Sequence, residues 1–218
     1  MVLLGIETAT GPFSVALWKH GAVAALRQSP HSHQQSAQLL PMIEAMLAET
    51  QTTFSELTKV ACSVGPGSFT SLRVGLAAAR GLCLSLGIPG LGLTTLEIMA
   101  HGQQPKLTQP IITCLLGAGK GEMVGQSFVH DAALTHASEP RVARAEELIA
   151  AMPSGAALVS NQPLEQPAIL AAPRADHLVM LAAKRGSGQP LSPFYVRPPD
   201  AKPMDTSPKR DMIPPALS

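Results

Sequence analysis

Residues 65–70 read GPGSFT and are the stretch of this sequence whose residue types best suit chemistry. They follow an apolar run and precede a helical pattern. Glycines before a helix leave free N–H groups at the positive end of the helix dipole, and such a turn can bind an anion. Its candidate residues are Gly65, Gly67, Ser68 and Thr70. The alternative is that Gly-Pro-Gly only turns the chain between a buried strand and a helix.

Other stretches that could hold a phosphate, a metal or a nucleophile are incomplete. Residues 117–121 (GAGKG) resemble a P-loop, but Cys114 replaces its first glycine and Gly121 replaces its Ser/Thr, so we expect a hairpin turn. The pair His31 and His33 lacks helical ligand spacing and a third ligand, and Ser68 lacks the Gly-x-Ser-x-Gly context of a nucleophile. We therefore expect no catalytic residue, no metal site and no peptidase activity.

Charged residues form 14% of the 218-residue chain, with a net charge of +1, against about 25% in ordinary soluble domains. A surface so short of charge suggests that another subunit covers part of it. The alternative is a composition rich in small residues with no partner. The sequence has no basic run and only 3% aromatic residues, so we expect no strong direct binding to nucleic acid.

The N-terminus lacks the basic segment and long apolar run of a signal peptide, and no stretch reaches about 18 uninterrupted apolar residues. We expect a cytoplasmic protein that is not membrane-bound. The three cysteines, Cys62, Cys83 and Cys114, are odd in number and widely spaced. They predict buried small apolar residues rather than disulfides or a zinc site.

Apolar periodicity predicts an α/β fold whose layout occurs twice. In the first half we expect strands at 2–7, 13–18, 22–26, 60–64 and 91–93. The helices expected there begin near Ser36, at Ser68 or Thr70, and at Thr94 or Thr95. The first of these helices has one apolar face, with Met42 outside it. That face comprises Leu39, Leu40, Ile43, Met46 and Leu47.

The second half begins after a boundary at residues 102–105 (GQQP). It has predicted strands at 110–116, 122–129, 134–137 and 157–160, and helices at 145–151 and 175–184. Three antiparallel strands followed by alternating helices and strands are typical of a ribonuclease H-like domain. A second, degenerate copy would make an actin-like pair of lobes. We predict lobes at 1–104 and 105–197, and a mobile proline-rich tail at 198–218.

The helix after residue 68 suggests a protein interface. Small residues at three- and four-residue spacing form one stripe and bulkier apolar residues form another, so several sides of this helix must be covered. Internal packing and contact with a partner explain this pattern equally well. The candidate interface residues on the two N-terminal helices are Leu39, Met42, Ile43, Met46, Ser71, Arg73, Gly75, Leu76, Ala78 and Arg80.

Four stretches together resemble the bacterial YeaZ/TsaB family, once labelled glycoprotease-like. They are ETAT at 7–10, GPGSFTSLRVG at 65–75, IPGLGLTTLE at 88–97, and PFYVR at 193–197. The resemblance is continuous over about the first 100 residues. It implies two lobes of the actin, sugar kinase and Hsp70 superfamily.

The resemblance also implies a function in making threonylcarbamoyl-adenosine in tRNA, as a non-catalytic subunit. The implied partners are the paralogous TsaD transferase and the TsaE ATPase, with a homodimer through the N-terminal helices in isolation and tRNA contacted only through the complex. We expect no cofactor on the chain alone, and name ATP or ADP with Mg at the interface of the complex as the candidate.

The sequence departs from the family pattern at two places. Glu7 replaces an Asp that is associated with magnesium in the superfamily, and residues 116–120 (LGAGK) replace Asp-Ala-Arg. These losses favour a non-catalytic subunit. The alternative is an actin-like enzyme that binds ATP between its lobes, with Glu7 and Thr8 near the metal and the phosphates, and residues 65–70 lining the cleft.

Overall fold

A computed structural model describes residues 1–30, 35–185 and 188–196 of the chain. The predicted loop histidines at 31 and 33 and the predicted tail at 198–218 lie outside the described residues.

The first half of the chain forms a five-stranded mixed sheet with three helices. Its strands lie in the order β3-β2-β1-β4-β5, with β1 to β3 antiparallel and β4 and β5 parallel to β1. The strands are β1 (Leu3–Glu7), β2 (Ser14–Lys19), β3 (Ala22–Gln28), β4 (Lys59–Gly65) and β5 (Gly90–Thr94). The helices are α1 (Gln35–Glu49), α2 (Phe69–Leu86) and α3 (Thr95–Gln103).

The second half repeats this arrangement in a second sheet, ordered β10-β9-β6-β7-β8, with the same strand directions. The strands are β6 (Ile111–Gly119), β7 (Glu122–Val129), β8 (Arg141–Ala143), β9 (Ala157–Ser160) and β10 (Ile169–Leu170). The helices are α4 (Ala145–Ala150) and α5 (Ala175–Lys184). The predicted α/β class and the repeated layout are therefore confirmed.

The second copy is reduced at one position. In the first sheet, the long helix α2 connects β4 to β5. Residues 161–168, all of them described, connect the corresponding strands β9 and β10 without a helix. Only the first sheet therefore has a helix of this kind.

Apolar side chains form three layers, of which the middle one joins the two sheets. Helices α1 and α2 pack on the outer face of the first sheet, and α4 packs on the outer face of the second. Helices α3 and α5 contact each other between the sheets, where α3 contacts β6 and β7 while α5 returns to β1 and β2. The predicted lobe boundary at residue 104 stays a prediction. Two later segments, α5 and residues 188–196, contact the first sheet although they follow that boundary in the sequence.

Helix α1 begins at Gln35, next to Ser36, as the sequence predicts. Two other local predictions need correction. Leu40 is 49% exposed, since it points away from the face that packs on the sheet. Residues 134–137 form a loop instead of a strand. Leu134 has a positive φ of 52°, and the Asp131 carboxylate accepts the N–H groups of Ala133 and Thr135 in this loop. The third strand of the second sheet is β8.

Candidate functional site

A cleft of about 440 Å³ lies between the two lobes. Four segments form most of its lining: the turn after β1 at 9–10, the turn before α2 at 66–68, the β6–β7 hairpin at 117–119, and the segment 194–196. Val124, Val142 and Asn161 complete it. The cleft thus lies where the corresponding loops of the two copies face each other.

The glycines of the predicted anion loop are required by packing within the chain. A Cβ on Gly67 would lie 2.2 Å from the carbonyl oxygen of Ala9, which also accepts the N–H of Ser68 at 2.7 Å. Gly65 has a φ of +112°, and a Cβ there would lie 2.6 Å from the carbonyl oxygen of Phe194. These contacts agree with the alternative of a turn between strand and helix. An anion at this turn stays a prediction.

Ser68 is the N-cap of α2, because its side chain accepts the N–H of Ser71 at 3.5 Å. The ring of Phe69, which begins the helix, stacks on Tyr195 at 5.3 Å between centroids. The guanidinium of Arg73 lies over the Phe69 ring, 3.7 Å from its centroid. Thr70, the last residue of the predicted anion loop, lies in the first turn of α2 and is exposed.

Residues 188–196, which we call the strap, cross the edge of the first sheet and end in the cleft. Gln189 pairs with Gly92 of β5, and the N–H of Phe194 donates to Val64 O at 2.7 Å. Arg80 Nε donates to Leu191 O at 2.6 Å. Arg73 and Arg80, predicted to contact a partner, thus contact the chain's own strap segment or the ring stacked on it. The sequence signalled the strap only through PFYVR.

Glu7 ends β1 as a fully buried carboxyl group. Its Oε1 accepts the N–H of Ala9 at 2.7 Å, whereas Oε2 has no partner, and neither has the buried Oγ1 of Thr8. Burial raises the pKa of Glu7 to about 7, against the weaker opposing effect of hydrogen bonds from Ser63 and the turn. Glu7 therefore acts in this fold as a partly protonated group beneath the turn that lines the cleft.

We expect Glu7→Gln to stabilise the protein at neutral and higher pH. A pKa raised in the folded state gives stability that is complete below about pH 4.5 and is lost as the pH rises through about 7. Glutamine imitates the protonated acid, so the variant should gain about 3 kcal/mol over the natural protein at pH 8 and almost nothing at pH 4.5. Urea unfolding at both pH values measures this, with the exposed Glu44→Gln as control. An equal effect at both would contradict it.

The residues present do not suit a magnesium nucleotide in this cleft. No charged side chain lines it among the described residues, and a nucleoside triphosphate needs cationic groups and metal ligands to balance its charge. Glu7 is buried away from the cleft surface, and within the described ranges no three His, Cys, Asp or Glu side chains lie together as metal ligands. The closed hairpin at 117–121 is the turn that the sequence predicts.

Half of the predicted interface is core. Five of its members are buried within the chain, so they are unavailable to a partner: Leu39, Ile43, Met46, Gly75 and Leu76. Met42, Ser71 and Ala78 are half-buried. The periodic apolar residues of α1 and the bulky stripe of α2 pack against the outer face of the first sheet instead.

Helix α2 nevertheless has an exposed strip of uncharged residues, which we call the α2 face. It consists of the exposed residues Thr70, Ala77, Gly81 and Leu84 with half-buried Val74, and the exposed Arg73 and Arg80 lie along one side of it. Leu84 is 87% exposed. By length and composition alone α2 would also suit a membrane span, as core helices of other proteins do. Its buried side packs on β4.

Two glycines of α2 differ in what they contact. A Cβ on Gly75 would lie 2.2 Å from Thr8 Oγ1, so the chain itself needs glycine there. A Cβ on Gly81 would meet nothing within 4 Å. Glycine inside a helix is about 1 kcal/mol less favourable than alanine. Within the described residues, no contact of Gly81 offsets that loss.

Comparison with known proteins gives a consistent picture. The family model described as TsaD, tRNA N6-adenosine threonylcarbamoyltransferase, matches residues 29–183, more than two thirds of the chain. The tRNA threonylcarbamoyladenosine biosynthesis protein TsaB of Escherichia coli is 36% identical over 132 residues, which are 60% of this chain and 56% of that protein. TsaB of Buchnera aphidicola from Acyrthosiphon pisum is 34% identical over 60% of this chain and 58% of its own length. The matches thus span little more than half of these relatives.

Among solved structures, YeaZ from Pseudomonas aeruginosa superposes with a TM-score of 0.76 at 25% identity, covering 89% of this chain and 99% of that one. A P. aeruginosa protein described as similar to peptidase YEAZ superposes with a TM-score of 0.79 at 24% identity, over 90% of this chain and 99% of that one. The predicted pair of ribonuclease H-like, actin-like lobes is thereby confirmed.

Proposed function

This chain belongs to the TsaB/YeaZ family, and on that premise we propose that it acts in the biosynthesis of threonylcarbamoyl-adenosine in tRNA as a non-catalytic subunit. The proposed partner is the TsaD transferase, which docks on the α2 face. A second copy of the chain occupies the same face when TsaD is absent.

The observation that carries this proposal is Gly81. The residue lies on the α2 face, and a Cβ added to it would meet nothing within 4 Å among the described residues. Small residues allow a second helix to approach closely. A partner helix packed across Gly81 would explain both the glycine and the exposed Leu84 beside it.

The non-catalytic part of the proposal is supported by the cleft. Its lining is uncharged among the described residues, and its turns are held by contacts with Ala9 and the strap rather than left open for phosphate. We propose that TsaD performs the transfer, that TsaE joins the complex, and that tRNA is contacted only through the assembled proteins. A cytoplasmic location is part of the same proposal.

Replacing Ala77 and Gly81 together by Arg should abolish association. Both positions are exposed on one side of α2, so the folded monomer can accommodate the new side chains, whereas a docked helix would bury two unpaired charges. We expect the Kd for TsaD, or for the homodimer, to rise about 100-fold or more. Analytical ultracentrifugation and co-purification with TsaD measure it.

The matched control is Ala150→Arg, an exposed alanine of α4 in the other lobe. It adds the same side chain far from α2 and should leave association unchanged. Unaltered binding by the double variant, with its circular dichroism intact, would rule out the α2 face as the docking site.

One observation favours the competing enzyme hypothesis. Glu7 Oε2 and Thr8 Oγ1, which that hypothesis places near the metal and the phosphates, are both buried without hydrogen-bond partners beneath the cleft turn. Calorimetry of the isolated chain with Mg-ATP separates the two proposals. We expect no binding heat for a non-catalytic subunit. Saturable binding with turnover, lost in Glu7→Gln, would support the enzyme instead. The same titration on the complex with TsaD tests whether ATP or ADP binds with Mg at the interface between the two proteins.

A further inference from the structure

The loop at 131–136, between β7 and β8 of the second lobe, is held at both of its ends by α3 and the turn that follows it. Leu134 of this loop is buried in the apolar layer between the sheets. The loop therefore connects the second sheet to the helix pair α3–α5, and through α5 to the first sheet.

The first hold is the buried carboxylate of Glu97. Its Oε2 accepts the N–H and the Oγ1–H of Thr94, both at 2.8 Å, which caps α3. Its Oε1 accepts from Arg185 Nη1 at 2.5 Å and from His136 Nε2 at 3.1 Å. Arg185 also donates to Ala133 O at 2.9 Å. Because four donors occupy this carboxylate, it is a structural link rather than a ligand site, although a pocket opens beside it.

The second contact that holds the loop is a chain of two hydrogen bonds, from His101 to Gln104 and from Gln104 to the loop. The Nε2 of Gln104 donates to Asp131 O at 2.6 Å, so its Oε1 must be the atom 2.8 Å from His101 Nδ1. An amide oxygen only accepts, and His101 must therefore carry its proton on Nδ1. The other ring nitrogen, Nε2, is buried without a partner.

The surroundings of His101 oppose a positive charge. Burial lowers the pKa of His101, and the hydrogen bond with Gln104 opposes this effect. Lys184 and His177 of α5 and Arg185, which follows that helix, lower the pKa further. The Asp131 side chain is occupied by Thr135 and by backbone N–H groups. Burial also lowers the pKa of His177. The charge of Asp176 raises this pKa, whereas the charges of Arg174 and Lys106 lower it further.

We infer that His101 and Gln104 form a proton-sensitive latch between the lobes. Neutral His101 holds Gln104 on the carbonyl of Asp131. When the ring takes a second proton from solvent, Nε2–H has no acceptor among the described residues, and the charge lies in a buried site near Lys184 and Arg185. The chain accommodates that proton by separating α3 from α5 and releasing the loop at 131–136.

Hydrogen exchange between pH 7.5 and pH 5 tests the latch. After correction for the intrinsic pH dependence of exchange, protection of residues 129–138 should fall about tenfold or more in the natural protein. In His101→Asn, the amide nitrogen can still donate to Gln104 but cannot titrate, so protection should stay constant over this range. The control is His130→Asn, which contacts Gln109 O and not α3, and should behave like the natural protein.

An undiminished pH response in His101→Asn would overturn the inference. If that variant does not fold, the ¹⁵N shifts of His101 in the natural protein decide it. An Nδ1–H tautomer at pH 7.5 that titrates together with the release of residues 129–138 supports the latch. An Nε2–H tautomer, or titration without any change in this loop, contradicts it.

Discussion

Glu97→Gln is expected to lower the free energy of unfolding by about 3 kcal/mol or more, because it breaks a buried ion pair and leaves one partner uncompensated. The amide keeps the size of the carboxylate, but its NH₂ group must face either Arg185 or Thr94. Of these groups only the Thr94 hydroxyl can accept, so in either orientation at least one N–H donor loses its acceptor. The charge of Arg185, three quarters buried, then lacks its anion.

The chain contains a matched control for this change. Thr53 and Glu56 make the same reciprocal capping arrangement as Thr94 and Glu97, at 2.7 Å between the Thr53 N–H and the carboxylate. Glu56 lies at the surface, with Lys19 as its ionic partner at 3.7 Å. Surface pairs of this kind contribute little. Glu56→Gln should therefore change stability only within the error of the measurement.

Urea unfolding of both variants at pH 7.5 provides the comparison. A small effect of Glu97→Gln, equal to that of Glu56→Gln, would mean that the buried carboxylate acts only as a helix cap. A large loss confined to Glu97 would support its part in joining the loop at 131–136 to α3 and α5.

The two glycines of α2 should respond to alanine with opposite signs. Overpacking against Thr8 should make Gly75→Ala about 2 kcal/mol less stable, even after the better helix propensity of alanine is included. Gly81→Ala meets open space and should make the monomer about 1 kcal/mol more stable.

Thermal unfolding at low protein concentration measures the monomer, so that association does not contribute. The proposed function adds a second requirement, which is that Gly81→Ala should weaken association while it stabilises the monomer. If Gly81→Ala is more stable and still associates as well as the natural chain, then a partner helix packed across residue 81 does not explain the glycine.

The sequence predicted most elements of the fold because their signals are local. Ser68 caps α2, Gly87 ends it with a φ of 65°, and Thr94 caps α3. Alternating apolar runs locate the long strands. The short strands β8 and β10, of three and two residues, carry too few side chains for a pattern and depend on pairing with neighbours that are remote in sequence.

The site was harder to predict, because tertiary contacts decide which helical face is free. An apolar stripe on α1 or α2 looks the same in sequence whether it packs on its own sheet or on another protein. Gly75 and Gly81 belong to one small-residue stripe, yet only Thr8, distant in sequence, makes the first a packing position. The strap and the loop at 131–136 depend on contacts of the same long-range kind, although the Thr-x-x-Glu signature at 94–97 was readable.

The absence of a helix between β9 and β10, in residues the structure describes, limits how many copies could assemble. Among the described residues, one helix carries the α2 face, on one side of the molecule. Two chains that pair symmetrically through this face use it on both, so neither retains a free one for a third. If that face mediates assembly, growth ends at a closed pair, and a filament like those of actin-type proteins with contacts at both ends would not form through it.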